Sequence, residues 1–146
     1  MAGFAASGLR PEQPCPCGGG SYGSCCRPLH CQERAAQTAE QLMRSRYSAY
    51  ALAEVDHLLR TQPSPEPLPQ RRRSLEASCR QLRWRQLVVL ATEAGGPDDL
   101  EGTVTFEAHY SAGGKRGVLR ERSRFVRDGG QLEGAWLYVE ALELSG

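Results

Sequence analysis

The sequence predicts an α+β protein in which a small cysteine-rich knuckle precedes helices packed on a curved antiparallel sheet. Four of the six cysteines lie between Cys15 and Cys26. From residue 38 the apolar residues recur every three or four positions, which indicates helices. From Trp84 they alternate with polar residues between glycine-rich turns, which indicates strands. Because the helices come first and the strands follow one another, neighbouring strands should pair as an antiparallel meander.

Composition favours one domain with a small appendage. The chain has 146 residues, of which 40% are hydrophobic and 24% charged, close to the averages for globular proteins. No apolar run reaches the roughly 18 residues that span a bilayer, and the first eight residues do not form a secretory signal. We therefore expect a cytoplasmic protein with no membrane contact, whose thiols stay reduced. Its net charge of +1 indicates no polyanionic partner.

The cysteines of residues 15–32 predict a zinc site. Residues 1–14 have no periodicity and are expected to form a flexible lead-in. Cys15 and Cys17 form one close pair, and Cys25 and Cys26 form another across a glycine-rich loop. Four thiolates match the tetrahedral preference of zinc and leave no position open for water or substrate. The predicted zinc is therefore structural.

The identity of the fourth ligand stays open at this point. Adjacent Cys25 and Cys26 must turn tightly to reach one ion, so His30 or Cys31 could take the place of Cys26. Both lie in a stretch from Pro28 to about Gln37 that is expected to be a polar connector.

Three helices are predicted between residues 38 and 82. Thr38 and Gln41 form a capping box at the start of the first helix. The second is short and begins at Glu54 and Asp56, whose charges suit a helix N-terminus. It ends before four alternating prolines within residues 63–69. The third helix, roughly 70–82, is expected to bury three side chains: Leu75, Cys79 and Leu82.

Four strands complete a domain of residues 38–146. Residues 87–91 form an apolar run that stops at a Gly-Gly-Pro-Asp-Asp turn. Residues 103–110 alternate between apolar and polar, and a Gly-Gly turn leads back into residues 118–127. Residues 135–141 follow a further turn at Asp-Gly-Gly and form the last strand.

Several stretches resemble known families. Cys-Pro-Cys-Gly followed by Cys-Cys, at residues 15–18 and 25–26, resembles the SEC-C zinc motif found at the tail of the SecA translocation ATPase. Residues 42–50, 82–84, 121–126 and 136–139 resemble the YchJ family of uncharacterised bacterial proteins. The resemblance implies a SEC-C zinc motif followed by a cone-shaped domain of the nuclear-transport-factor-2-like type. It implies no established activity. The motif's role in SecA-type proteins implies docking of a protein or ribosomal partner.

The zinc loop departs from the family pattern. Seven residues separate Cys17 from Cys25, one fewer than is usual, and Gly19 stands where the family customarily has serine. These differences concern the geometry of the loop and leave the number of thiolates unchanged.

Strand alternation singles out a carboxylate. It places Glu121 and Ser123 on the face of the apolar Leu119 and Phe125, so Glu121 could point into the cone. There it could be a general base or a ligand anchor, or it could pair with Arg44 or Arg46 and seal the cone, which is the favoured interpretation. Three further aromatic residues are expected in the core: Tyr47, Tyr50 and Trp84. His109, on the opposite face of its strand, is expected at the surface.

Arginines form two basic groups. One comprises Arg71, Arg72, Arg73, Arg80, Arg83 and Arg85, and the other comprises Arg120, Arg122 and Arg124. Together they could follow a phosphate backbone. No aromatic residues are interleaved as stacking platforms, so a solvated surface explains them equally well.

These observations predict a zinc-binding interaction or small-ligand-binding module more readily than an enzyme. No Ser-His-Asp order, phosphate loop or dinucleotide fingerprint is present. The knuckle would dock a protein or ribosomal partner, and the cone would hold a small ligand or form a homodimer through its sheet. The alternatives are an isomerase- or dehydratase-like enzyme with Glu121 as base and Tyr47 as donor, or weak nucleic-acid binding through the arginines.

Overall fold

A computed structural model describes residues 8–146, so the first half of the predicted lead-in lies outside the described residues. Four helices and four strands follow one another, with two short 3-10 turns, at Tyr22–Ser24 and Asp128–Gly130. The helices are α1 Arg27–His30, α2 Ala39–Leu52, α3 Val55–Arg60 and α4 Leu68–Gln81. The strands are β1 Arg83–Ala94, β2 Glu101–Ala112, β3 Lys115–Arg127 and β4 Trp136–Ser145.

The sheet is an antiparallel meander in the order β1-β2-β3-β4, which confirms the predicted α+β class. The central pair, β2 and β3, stays in register from Glu101–Val126 to Ala112–Lys115. Each of the two outer pairings contains two register shifts. Because a bulge bends its strand and increases the local twist, shifts confined to the outer pairings curve the sheet toward the helices.

The N-terminus of α2 is fixed by its own cap and by the β1–β2 turn. The Gln41 N–H donates to Thr38 Oγ1 at 3.1 Å. The Gln41 side chain accepts from the N–H of Gln37 at 2.7 Å, one residue before the cap. The Ala39 N–H donates to the carbonyl of Gly95 at 2.9 Å. These bonds satisfy N–H groups that have no partner inside the helix.

The core of the cone lies between α2 and the sheet. Its buried members come from both layers and comprise Ala39, Leu42, Met43, Val104, Phe125 and Trp136. The Trp136 indole N–H donates to the carbonyl of Gln37 at 3.1 Å, and the buried Arg127 guanidinium lies 4.3 Å from its ring centre. Aromatic and cationic contacts therefore close the end of the core nearest the start of α2.

Helix α4 is less buried than its sequence predicts. None of its residues is fully buried, and Leu75 and Cys79 are only half-buried. The expectation that Cys79 is a core thiol is therefore wrong. The reason is geometric: α4 packs against α2 and α3, and no further layer covers its outer side.

The expected polar connector is also partly wrong. It begins inside α1, where Pro28, Leu29 and His30 are buried. A proline in the first turn of a helix loses no hydrogen bond, so Pro28 starts this short helix instead of breaking it. Across residues 8–146, no helix is long and apolar enough to cross a membrane.

Candidate metal centre and adjoining cavity

The knuckle, residues 15–32, brings four sulfur atoms together. The Sγ atoms of Cys15, Cys17, Cys25 and Cys26 all lie within 4.8 Å of one another. Three of the separations are 3.4 Å for Cys17–Cys25, 3.7 Å for Cys17–Cys26 and 3.9 Å for Cys25–Cys26. A zinc ion with Zn–S bonds of about 2.3 Å requires sulfurs about 3.8 Å apart. The four thiols could therefore hold a metal ion without rearrangement of the fold.

Glycines make this loop possible. Gly18 and Gly20 adopt positive φ values of 85° and 118°, a region open mainly to glycine. The Cys15 N–H donates to the Gly20 carbonyl at 2.7 Å and closes the loop. A Cβ at Gly19 would lie 2.9 Å from Cys25 Sγ. A side chain at position 19 would therefore press on the thiol cluster in this shortened loop.

The thiols share protons unequally. Hydrogen bonds from Cys17 and Cys26 lower the pKa of Cys15, whereas contacts with Cys15 and Cys17 raise the pKa of Cys26. The hydrogen bond with Cys26 also lowers the pKa of Cys25 to about 7. A metal ion needs thiolates, so its binding would release protons from this cluster.

His30 is occupied elsewhere. Its Nε2 lies 2.8 Å from the Ser45 carbonyl, which can only accept, so Nε2 carries the proton. Its Nδ1 accepts from the Tyr22 hydroxyl at 2.8 Å. Cys31 does not belong to the group of close sulfurs. Among the described residues, the structure therefore groups Cys26, and neither His30 nor Cys31, with the other three cysteines.

Residues before the knuckle are bonded to it. The Tyr22 N–H donates to the Gln13 carbonyl at 2.8 Å, and the Gly23 N–H donates to the Pro11 carbonyl at 2.8 Å. Leu9 packs against the cluster that contains the buried cysteines. Residues 9–13 thus fold over the cysteine loop.

Helix α2 carries the knuckle on one side. The Arg44 guanidinium donates to the Cys17 carbonyl at 2.8 Å and to Glu40 at 2.9 Å. The Ser48 hydroxyl contacts Cys15 Sγ at 3.5 Å. Tyr47 packs in one buried cluster with the cysteines. The knuckle is therefore fused to α2 by polar and apolar contacts.

A second buried histidine lies beneath this junction. The Ser45 hydroxyl donates to the Leu42 carbonyl at 2.7 Å, so it accepts from His57 Nε2 at 2.8 Å. Burial, reinforced by the neighbouring His30, lowers the pKa of His57 to about 2. Burial also lowers the pKa of His30. Both rings are neutral hydrogen-bonding parts of the fold at neutral pH.

The other side of α2 forms the wall of a cavity. The cavity has a volume of about 290 Å³ and lies between α2, the end of α4 and the concave face of the sheet. Its lining is largely apolar and aromatic, and comprises Met43, Arg46, Tyr47, Tyr50, Ser78, Leu82, Trp84, Phe106, Ala108, Leu119, Glu121, Ser123, Phe125 and Tyr138.

Glu121 lines this cavity, and within residues 8–146 no arginine forms an ion pair with it. Its Oε2 accepts from the Ser123 hydroxyl at 2.6 Å and from the Tyr138 hydroxyl at 2.8 Å. The favoured sequence interpretation, a pair with Arg44 or Arg46, is therefore wrong. Arg44 faces the knuckle, two positions away from Arg46 on α2, and so lies on the other side of the helix.

Arg46 is buried and held by uncharged acceptors. Its guanidinium donates to the Leu58 carbonyl at 3.1 Å, to Thr61 Oγ1 at 2.6 Å and to Gln62 Oε1 at 2.9 Å. Its face lies 4.9 Å from the centre of the Tyr138 ring. Burial lowers the pKa of Arg46. Tyr138 thus lies between the guanidinium and the Glu121 carboxylate.

Two aromatic residues expected in the core belong to the cavity wall. Tyr50 and Trp84 are only partly buried and line the cavity, so the prediction of plain core positions is wrong for them. Tyr47 is both buried and part of the wall. The aromatic residues stay partly exposed because α4 does not fill the mouth of the cone.

The outer face of the sheet is matched in charge. Arg120, Arg122 and Arg124 lie 3.9, 3.3 and 2.8 Å from carboxylates of Glu107, Glu93 and Glu140, respectively. His109 lies on the same face beside Glu107 at 3.6 Å, about one-third exposed. Because each arginine of this stripe faces a carboxylate, the stripe offers little free positive charge to a phosphate backbone.

The fold and the thiol cluster together define a class of protein: a SEC-C-type cysteine motif joined to a nuclear-transport-factor-2-like cone. Comparison with known proteins agrees. The family model for the middle, nuclear-transport-factor-2-like domain of YchJ matches residues 38–141. The chain belongs to the YchJ family.

Relatives cover most of the chain. A UPF0225 protein of Ralstonia nicotianae is 46% identical over 135 residues, which span 89% of this chain and 91% of that relative. A UPF0225 protein of Streptomyces coelicolor is 42% identical over 132 residues, spanning 89% and 95% of the two chains.

Two solved structures have the same fold. A SEC-C motif-containing protein from Rhodopseudomonas palustris superposes with a TM-score of 0.74 at 32% identity, covering 91% of this chain and 100% of that one. A SEC-C motif-containing protein from Psychrobacter arcticus superposes with a TM-score of 0.73 at 24% identity, covering 93% and 85%. The second likeness concerns the fold alone.

Burial of His57 should make the stability of the folded protein depend on pH. Its ring should stay neutral from about pH 8 to about pH 5, whereas histidine in the unfolded chain ionises near pH 6.5. Below about pH 6.5 the unfolded chain binds a proton that the folded protein excludes, so stability falls as pH falls, by up to about 1.4 kcal/mol per pH unit. Nitrogen chemical shifts of the His57 ring measure this directly. A ring midpoint near the unfolded value would contradict the prediction.

Proposed function

We propose that the protein is a cytoplasmic, non-catalytic module that binds one zinc ion in the knuckle and a small molecule in the cone. The zinc proposal rests on the donor set. Four cysteine sulfurs at tetrahedral spacing suit zinc in a reducing compartment and leave no open ligand position. The ion would stabilise a segment too small to build its own core.

The observation that carries the ligand proposal is the cavity. Its volume of about 290 Å³ is roughly twice that of an engineered 150 Å³ protein cavity that binds benzene. A few polar groups interrupt an aromatic wall, which is typical of small-molecule sites. One side of that wall is α2, the helix that carries the knuckle.

The lining favours binding over reaction. Glu121 is the one carboxylate among the described lining residues, and no histidine, cysteine or lysine lines the cavity with it. Burial raises the pKa of Tyr47 to about 12, so this hydroxyl keeps its proton. A reaction that starts at Glu121 would have to use this one carboxylate both to remove a proton and to return it, because the Tyr47 hydroxyl keeps its own. An isomerase-like reaction is therefore the weaker alternative.

Native mass spectrometry of protein purified without added metal tests both parts. We expect one zinc ion and one retained small molecule per chain, and the same spectrum gives the number of subunits. Ser78 lines the cavity while remaining exposed, so Ser78→Trp should fill the cavity, expel the small molecule and keep the zinc. Ser74→Trp, at an exposed position one turn earlier on α4 that does not line the cavity, should retain both.

The outcomes separate the two claims. Protein without zinc contradicts the metal proposal. Wild-type protein without a bound molecule, or a molecule retained equally by Ser78→Trp, contradicts the cavity proposal.

We further propose that the outer side of the knuckle docks a protein or ribosomal partner. The proposal draws on the SEC-C motif and on the shape of the knuckle. The loop of residues 18–21 is exposed, while Cys15, Cys17 and Cys26 beneath it are buried in a cluster that includes Tyr47 of α2. A metal-fixed loop of small residues presents backbone groups in one conformation, which reduces the entropy lost on binding.

Affinity capture with a surface variant tests docking. Ser21→Trp alters the exposed loop, and Ser74→Trp serves as the matched change on α4. We expect Ser21→Trp to lose at least one protein or ribosomal component that wild type and Ser74→Trp both capture. Identical captured sets for all three proteins would contradict docking through the knuckle.

A further inference from the structure

The polar groups of the cavity narrow the class of ligand, and this inference rests on the proposed binding of a small molecule in the cone. Arg46 has few donors to spare. Three of its hydrogen bonds go to Leu58, Thr61 and Gln62, and its face lies over Tyr138. An anionic ligand would therefore find a guanidinium that is already engaged by protein.

Glu121, in contrast to Arg46, can accept a further hydrogen bond. Both of its hydrogen bonds converge on Oε2, from the hydroxyls of Ser123 and Tyr138. Within residues 8–146, no protein donor is bonded to Oε1. A carboxylate oxygen in an apolar wall gains most from a donor on the ligand, because hydrogen bonds to charged groups are stronger than those between neutral groups.

Trp84 contributes a ring to the wall and no donor. It lines the cavity, and its Nε1 is the buried side-chain polar atom that lacks a hydrogen-bond partner within the described part of the chain. Because this nitrogen is inaccessible even to a water-sized molecule in the cavity, a ligand cannot bond to it, and Glu121 is the group that selects the ligand's polar atoms.

The charge and the shape of the cavity restrict the ligand further. One guanidinium and one carboxylate line the cavity, so its formal charge is balanced without a ligand. A charged molecule would upset this balance in a weakly solvated space. Six aromatic side chains form much of the wall: Tyr47, Tyr50, Trp84, Phe106, Phe125 and Tyr138. Their rings favour a flat partner, and the volume suits two fused rings.

We propose that the cone selects a flat, uncharged, two-ring heteroaromatic molecule that gives an N–H or O–H donor to Glu121. This donor dominates selection because Oε1 has no protein donor within residues 8–146, and a carboxylate oxygen left without a donor is unfavourable in an apolar wall.

Titration with 2-quinolinone and its N-methyl derivative tests this class. The parent lactam carries both an N–H and a carbonyl, and methylation removes only the donor. We expect the parent to bind wild-type protein at least about tenfold more tightly, with a shift of the Trp84 indole N–H resonance. Quinoline-2-carboxylate, a charged analogue of similar size, should bind more weakly than the parent.

A pair of variants assigns the preference to Glu121. Glu121→Leu should reduce the parent-to-methyl affinity ratio to about one, whereas Glu107→Leu, on the outer face of the sheet, should leave it unchanged. Glu121→Gln, which keeps an acceptor and the packing, should give an intermediate ratio and covers the case in which Glu121→Leu does not fold.

Each outcome has a distinct meaning. Equal binding of parent and methyl derivative to wild type, or tighter binding of the carboxylate, overturns the proposed ligand class while leaving a small-molecule cavity in place. If none of the three probes shifts the Trp84 indole N–H resonance, the proposed ligand class is overturned. If native mass spectra of the wild-type protein also show no bound molecule, the cavity proposal itself is contradicted.

Discussion

The two-sided packing of α2 is the constraint on which the rest of the structure depends. One side of this helix carries the knuckle through Arg44 and Ser48, and Arg46 and Tyr50 on the other side line the cavity. Tyr47 belongs to both environments. This one helix therefore contacts both the knuckle and the cavity, although no thiol lines the cavity.

The curved sheet and the incomplete cover by α4 leave this cavity open. Register shifts in the outer pairings curve the sheet away from a flat layer, so its concave face cannot be filled by α2 alone. Helix α4 leaves the mouth half-covered, without a buried residue of its own. Arg46 and Glu121 each have neutral hydrogen-bond partners, and Tyr138 contacts both of them. The polar groups thus sit within an aromatic wall without closing it by an ion pair.

Much of this arrangement could be predicted from local pattern. The period of apolar residues gave α2 and the meander, cysteine spacing indicated the knuckle, and strand alternation placed Glu121 beside Phe125. The predictions that are wrong concern positions whose burial depends on how the helices and the sheet pack together. Nothing local shows that α4 has one covered side, so Cys79 and Trp84 were expected in the core. The role of His30 depends on its hydrogen bonds with Tyr22 and Ser45. The space beside Gly19 depends on the position of Cys25. Both sets of neighbours come together only when the chain folds.

Hydrogen exchange of the α2 amides, with and without bound metal, tests most directly whether the order of α2 depends on the knuckle. In zinc-loaded protein we expect slow exchange across Ala39–Leu52. Removal of the metal by a chelator should speed exchange in α2 at least about tenfold, as local unfolding becomes easier, while amides of the β2–β3 pair keep their protection. Unchanged exchange in α2 after the metal is removed would contradict the account, because the knuckle would then be an appendage without influence on the cone.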